Sequence, residues 1–242
     1  MARKSTTKGW LMPDESREAP PKPRLTRDRI IDAALQMMAE QGYEAVSMRS
    51  LAKTLGTGPA SLYAHVANRE QLDQLVMDRI GRGLDLPVPD PEHWQEQLKQ
   101  ALRDTLALYR AHPGSARATL GAIPTMEGTM RIAEGLMAIM VAGGVSEQAA
   151  AWFCDLSALY VGAVAYEESI WALRAGDATE EFDHAAMDAE LRGFFASLPP
   201  DRYPLLTSLA GVMTQGDGDE RFEFGLDVLV GGLAAVSDRY RR

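Results

Sequence analysis

Between Ser47 and Gln71 the chain reads SMRSLAKTLGTGPASLYAHVANREQ, and its polar side chains fall where they could grip a polyanion. Ser61 and Tyr63 carry hydroxyls suited to phosphate or sugar oxygens. His65 lies on the same exposed face, and Arg69 opens the segment that follows. Pro59 and Ala60 offer only apolar contact, of the kind a thymine methyl accepts. Elsewhere the chain contains no G-x-S-x-G elbow, phosphate loop, dinucleotide fingerprint or zinc motif. The chemistry legible in these residues is therefore binding to double-stranded DNA rather than turnover, and no catalytic residue is assigned.

Those side chains need a rigid mount, and the apolar spacing predicts one. Met48, Leu51, Ala52 and Leu55 recur at i, i+3, i+4 and i+7, one face of a short helix. Ser47 is placed to cap its start and Gly56 to end it in a left-handed turn. Pro59 suits the first turn of the next helix, where a missing N–H costs nothing. Leu62 and Val66 then point back to a core. Asn68 with Gln71 predicts a capping box opening a further helix with Leu72, Leu75, Val76 and Ile80 inside. An earlier helix, capped by Thr26 and stopped by Gly42, buries Ile30, Ile31, Ala34, Met37 and Met38. The whole is a helix-turn-helix head whose second helix is shaped to enter a major groove.

In these residues the chain resembles the tetracycline-repressor (TetR) family of bacterial regulators. The resemblance runs from TRDRIIDAALQMMAEQGYEAVSMRSLAKTLG to SLYAHVANREQL and continues through SARATLGAIP, GLMAIMVAGGVSEQAA and FEFGLDVLVGGL. It implies an all-α, homodimeric transcriptional repressor in which a small-molecule effector releases operator DNA. It also implies that Arg49 reaches a base edge, where a guanidinium suits guanine O6 and N7. Arg69 then takes the place of a phosphate clamp that is often lysine. One departure is instructive. Tetracycline repressors carry an HLGT segment whose histidine holds the drug's magnesium ion, whereas this chain reads Thr119-Leu120-Gly121-Ala122. A magnesium–tetracycline effector is not expected, and neither a metal site nor a cofactor is assigned. An activator of the same fold, or an all-α enzyme or carrier acting on its bound molecule, remains an alternative reading.

Composition bounds the architecture. A chain of 242 residues fits a small head plus one larger domain, placed at residues 24–84 and 85–242, with 1–23 as a disordered basic arm. That arm holds Arg3, Lys4, Lys8, Arg17 and Lys22 among prolines and small polar residues. The net charge of −9 conceals an asymmetry. Residues 1–84 carry 13 Lys and Arg against 10 Asp and Glu, a net of +3, and the remainder carries 12 against 24, a net of −12. A mildly basic head on an acidic body directs DNA to the head alone. A single cysteine, Cys154, excludes an internal disulfide framework and suits a reducing cytoplasm. No uninterrupted apolar run of transmembrane length and no apolar leader predict a cytoplasmic protein without a membrane partner.

The body reads as five or six helices. After the connector LDLPVPDPE, Asp90 and Pro91 open a helix from Glu92 to about Ala111, with Trp94, Leu98, Leu102, Thr105 and Leu108 inward. Thr125 opens the next, ending at Gly143-Gly144, and Ser146 caps a long apolar helix that stops near Gly176. A charged stretch with Phe182, Phe194 and Phe195 leads to Pro199-Pro200. A helix over Leu205–Met213 and a last one from about Asp219 to Arg239 complete the chain. Asp217-Gly218-Asp219 lacks the remaining calcium-loop residues and reads as a helix-initiating turn.

Candidate pocket residues are Trp94, Leu98, Leu102, Met126, Met130, Met137, Trp152, Tyr160, Tyr166 and Trp171, each of which also suits a core. Their chemistry points to a sizeable, largely apolar or aromatic ligand. The last helix carries a bulky stripe, Phe222, Leu226, Leu229, Leu233 and Val236, and a smaller-sided one, Gly225, Val228, Gly232 and Ala235. With Phe153, Leu156 and Val164 of the long helix, the smaller stripe predicts a dimer interface, as the resemblance also implies.

Overall fold

The computed structural model describes residues 24–120, 123–177 and 184–241. The basic arm, Gly121-Ala122 and Phe182 fall outside that range. Every regular element among the described residues is helical.

Four helices build the head. α1 (Arg27–Gln41) begins where the Thr26 hydroxyl accepts from the Arg29 N–H at 3.2 Å and ends at Gly42. α2 (Met48–Thr54) opens with reciprocal capping: Ser47 Oγ accepts from the Ser50 N–H at 3.0 Å, and Ser50 Oγ accepts from the Ser47 N–H at 2.8 Å. The chain then reverses through Gly56, whose φ of 63° lies in the left-handed region that a side chain would strain. α3 (Pro59–Tyr63) follows, with proline in its first turn. α4 (Arg69–Gly81) is capped by Asn68, which accepts from the Gln71 N–H at 2.8 Å. The predicted box is displaced by one residue, because Gln71 Oε1 accepts from the Ala67 N–H at 2.6 Å rather than from Asn68. Ile30, Met38, Leu51, Leu62, Val66, Leu72 and Val76 are fully buried together. At about 1.5–3 kcal/mol for each large apolar side chain, this small core holds α2 and α3 rigidly.

The body is formed by α5 (Trp94–Ala111), α6 (Glu127–Ala142), α7 (Glu147–Asp177), α8 (His184–Ala196), α9 (Pro204–Ser208), α10 (Ala210–Met213) and α11 (Gly218–Val236). Among the described residues seven helices thus stand where five or six were expected. α5 starts at Trp94 rather than Glu92, because the Asp90 carboxylate accepts from the Glu92 N–H at 2.9 Å and contacts His93 Nδ1 at 2.8 Å, closing a separate turn. α6 starts after Met126 rather than at Thr125. The charged stretch holding Phe194 and Phe195 is the helix α8, and the Leu205–Met213 segment divides at Leu209. α11 opens on a capping box between Asp217 and Glu220, the former accepting from the Glu220 N–H at 2.8 Å. Glu147–Arg174 of α7 is long and apolar enough to cross a membrane, with a mean hydropathy of 1.3, a length the residue runs did not reveal. In the fold it is a core helix, packed against α5, α6 and α11.

The body core gathers Leu98 and Leu102 of α5, Ile139 and Met140 of α6, Phe153 and Val161 of α7, and Leu226 of α11. Tyr109 packs against both this core and that of the head. The two lobes are also fastened directly. Buried Asp78 of α4 accepts from the Gly128 N–H at 2.7 Å, at the start of α6. Arg131 donates to the carbonyls of Gly81, Arg82 and Leu84 at 3.1, 3.2 and 2.6 Å, satisfying the C-terminal end of α4. Gly81 and Gly128 face each other so closely that a Cβ on Gly128 would overlap the Asp78 carbonyl.

Candidate nucleic-acid interface and body cavity

α2 and the N-terminal end of α3 frame a shallow groove lined by Ser47, Arg49, Lys53, Thr57 and Pro59. Arg49, Pro59, Ala60, Ser61 and Tyr63 are all exposed along it or beside it. The reading from sequence omitted Lys53, which its spacing could have revealed: it lies four residues after Arg49, hence on the same face of α2. Two cations with an open front suit a phosphate-lined groove. His65 is half-buried, and its carbonyl accepts from Arg27 Nε at 3.0 Å, tying the end of α3 to the start of α1.

Arg69 departs from its expected role. Rather than projecting as a free clamp, its Nε donates to Asp73 at 2.9 Å, its Nη1 donates to the Val46 carbonyl, and its guanidinium lies 4.1 Å above the Tyr43 ring. Tyr43 donates its phenolic proton to Asp73 at 2.6 Å, and burial together with that carboxylate raises its pKa. A guanidinium on a long flexible stem, four residues from a carboxylate and beside an aromatic face, finds its partners within the chain. Arg69 is a strut between α4 and the segment leading into α2.

The second feature is a cavity of about 380 Å³ between α4 and the body. Gln74, Met77, Ile80 and Gly81 of α4 form one wall. Leu102, Thr105 and Tyr109 of α5 and Thr129, Ile132 and Leu136 of α6 form others. α7 contributes Ala151, Cys154, Asp155, Ala158 and Val161, spaced as one helical face. The lining is mostly apolar, with hydroxyls, one amide and one carboxylate, the composition of a small-molecule site. Burial pushes the Cys154 thiol up to about 11 and the Tyr109 phenol well above its ordinary range, so both stay neutral near pH 7.

Of the ten candidate pocket residues, Leu102, Met126 and Met137 line this cavity. The other seven lie elsewhere. Leu98 is fully buried in the body core, Trp94 packs over Gly143, and Tyr166 packs against the same core. Tyr160 stacks on Phe222 with ring centroids 5.5 Å apart. Trp152 is exposed and meets Tyr240 edge to face, Trp171 lies beneath the Arg174 guanidinium, and Met130 is about half exposed. Large aromatic side chains fill space, whereas a cavity persists where small ones leave it open. The small-residue face of α7 was the overlooked signal. Among the described residues no group of three or more His, Cys, Asp or Glu side chains is placed to hold a metal ion.

The candidate interface residues also divide. Phe153 is buried in its own core and Val164 packs against it. A Cβ on Gly225 would strike the Tyr160 hydroxyl, so that glycine serves α7–α11 packing within the chain. Leu156, Val228, Gly232 and Ala235 are exposed, and nothing approaches the Cβ position of Gly232 within 4 Å. Phe224, 71% exposed, and Leu159 extend this apolar surface over α7 and α11.

Residues 30–74 match the family described as "Bacterial regulatory proteins, tetR family", and residues 86–237 match "Tetracyclin repressor-like, C-terminal domain". The chain is 32% identical over 222 residues to the HTH-type transcriptional repressor DrrR1 of Streptomyces coeruleorubidus, covering 89% of this chain and 80% of that one. It is 31% identical to the class D tetracycline repressor protein of Escherichia coli, covering 87% and 89%. Among solved structures, the TetR family protein ActR of Streptomyces coelicolor in complex with actinorhodin superposes with a TM-score of 0.75 at 37% identity, over 88% of this chain and 97% of that one. With its helix-turn-helix head and its helical ligand-binding body, the chain belongs to the TetR family of transcriptional regulators.

Proposed function

We propose that this protein is a homodimeric repressor, released from its operator when a largely apolar or aromatic small molecule fills the cavity between α4 and the body. The observation that carries the reading is the double role of α4. Its N-terminal end is fixed to the helix-turn-helix through Arg69, and its later turns, from Gln74 to Gly81, supply four residues of the cavity wall. A ligand pressing on Met77 and Ile80 therefore acts on the lever that carries α2 and α3. In a dimer joined through the exposed faces of α7 and α11, the two α3 helices must lie roughly 34–36 Å apart to reach successive major grooves. Any ligand that binds the displaced α4 more tightly than the DNA-bound one lowers operator occupancy, in proportion to that difference in affinity.

In this reading Arg49 contacts a base edge and Ser61, Tyr63 and Lys53 hold the backbone, with residues 24–84 acting as the reader and 85–242 as sensor and dimerisation domain. ActR has been solved with actinorhodin, a precedent for such an effector. A magnesium–tetracycline effector is not favoured, since Thr119 stands where tetracycline repressors place the histidine that holds the metal. The acidic body keeps DNA on the head, as befits a cytoplasmic regulator.

The test is a salt-dependent gel shift of the full chain with duplex fragments from its own upstream region. Selective binding that weakens steeply with salt, with a protein–DNA stoichiometry of two chains per site, is the expected result. An intact protein that binds every duplex equally would overturn the repressor assignment.

A further inference from the structure

We infer that the cavity selects ligands bearing a basic nitrogen, with Asp155 as the counter-ion. This rests on the reading of the cavity as the effector site. Asp155 is the charged residue of the lining, and among the described residues that line the cavity there is no Arg, Lys or His. It stands on the α7 face that also presents Ala151, Cys154 and Ala158, so its neighbours on that wall are small and uncharged. No hydrogen bond or ion pair engages its carboxylate among the described residues, whereas Asp73, Asp78, Asp219 and Asp227 are all paired.

The remaining polar groups of the cavity cannot substitute for a cation. Cys154 and Tyr109 are held neutral by burial. At the α6 N-terminus, the natural anion-binding feature nearby, the Gly128 N–H already donates to Asp78, so one donor is taken and a carboxylate already stands there. A ligand carboxylate or sulfonate would thus leave water and find no charged partner, which is costly. An ammonium group would leave water and find a carboxylate, a charge-assisted hydrogen bond of the stronger kind. The net charge of −12 on residues 85–242 acts in the same direction, raising the local concentration of cations around the mouth.

Three probes with one tricyclic ring system separate charge from shape: 9-(aminomethyl)anthracene, 9-methylanthracene and anthracene-9-carboxylate, titrated by fluorescence into the full-length protein without DNA. Because Asp155 is itself exposed, the amine should bind more tightly than the carboxylate by about threefold to tenfold, with the neutral compound between them. Asp155→Asn should abolish the preference for the amine, read as the ratio of the amine and carboxylate dissociation constants in the variant. Neutral binding without a preference for the amine, or a preference that survives Asp155→Asn, overturns the counter-ion role and leaves the cavity as an effector site. Failure of all three to bind overturns the counter-ion role and the effector cavity together.

Discussion

Replacing Asp78 by alanine probes the joint on which the proposed mechanism depends. Its carboxylate is 9% exposed and makes two contacts: it accepts from the Gly128 N–H at 2.7 Å and pairs with Arg82 at 2.8 Å. The Arg82 side chain is 60% exposed, so that ion pair contributes little, about 0–1 kcal/mol. The bond to Gly128 is different. It uses a charged acceptor, and its loss leaves a helix-terminal N–H buried without a partner, a combination that costs about 2–3 kcal/mol. For a chain of this size that corresponds to a fall in Tm of about 4–12 °C. Asp78→Asn keeps an acceptor oxygen in place and should retain most of the stability. The functional consequence is separable from the stability loss. With α4 no longer pinned to α6, ligand binding should move the head less effectively, so a saturating ligand should release a smaller fraction of operator DNA at a temperature where the variant is folded. Thermal melting followed by DNA anisotropy with and without ligand measures both. An Asp78→Ala protein with wild-type Tm and full release would refute the role assigned to this contact.

Other perturbations address the remaining parts. Arg49→Ala should reduce discrimination between operator and non-operator duplexes by about 1–3 kcal/mol per contacted base, read by competition gel shift. Lys53→Ala should instead weaken binding to all duplexes alike and lower the slope of log K against log salt by about one. Gly232→Leu should shift the dimer–monomer equilibrium toward monomer in sedimentation at low concentration, with the helical content kept, because its Cβ position is open within the chain. Gly225→Leu should lower thermal stability by about 1–3 kcal/mol even in the monomer, because the added side chain displaces Tyr160.

The head was legible residue by residue because its determinants are local. A serine before an apolar period, a glycine in a left-handed turn and a proline in a first turn act over three or four positions, and Thr26, Ser47, Gly56, Pro59 and Asn68 all stand where that chemistry placed them. The helical class of the body and the start of α11 were legible for the same reason. Placement at a distance was not. Arg69 is oriented by the Tyr43 ring and the Val46 carbonyl, 26 and 23 residues away, and no spacing in the chain reveals that those groups meet its guanidinium. The cavity has walls from α4, α5, α6 and α7, and an apolar residue on a helix face has the same periodicity whether it meets a neighbour or an empty volume. Trp94 and Tyr160 were attractive as pocket residues for their size, yet size is what lets them close over Gly143 and Gly225. The sequence by itself determined which segments become helices and which face of α3 is polar, since those follow from short-range hydrogen bonding and periodic burial. Only the tertiary structure decided where space was left, because a void is a property of how several helices pack and of no one of them alone.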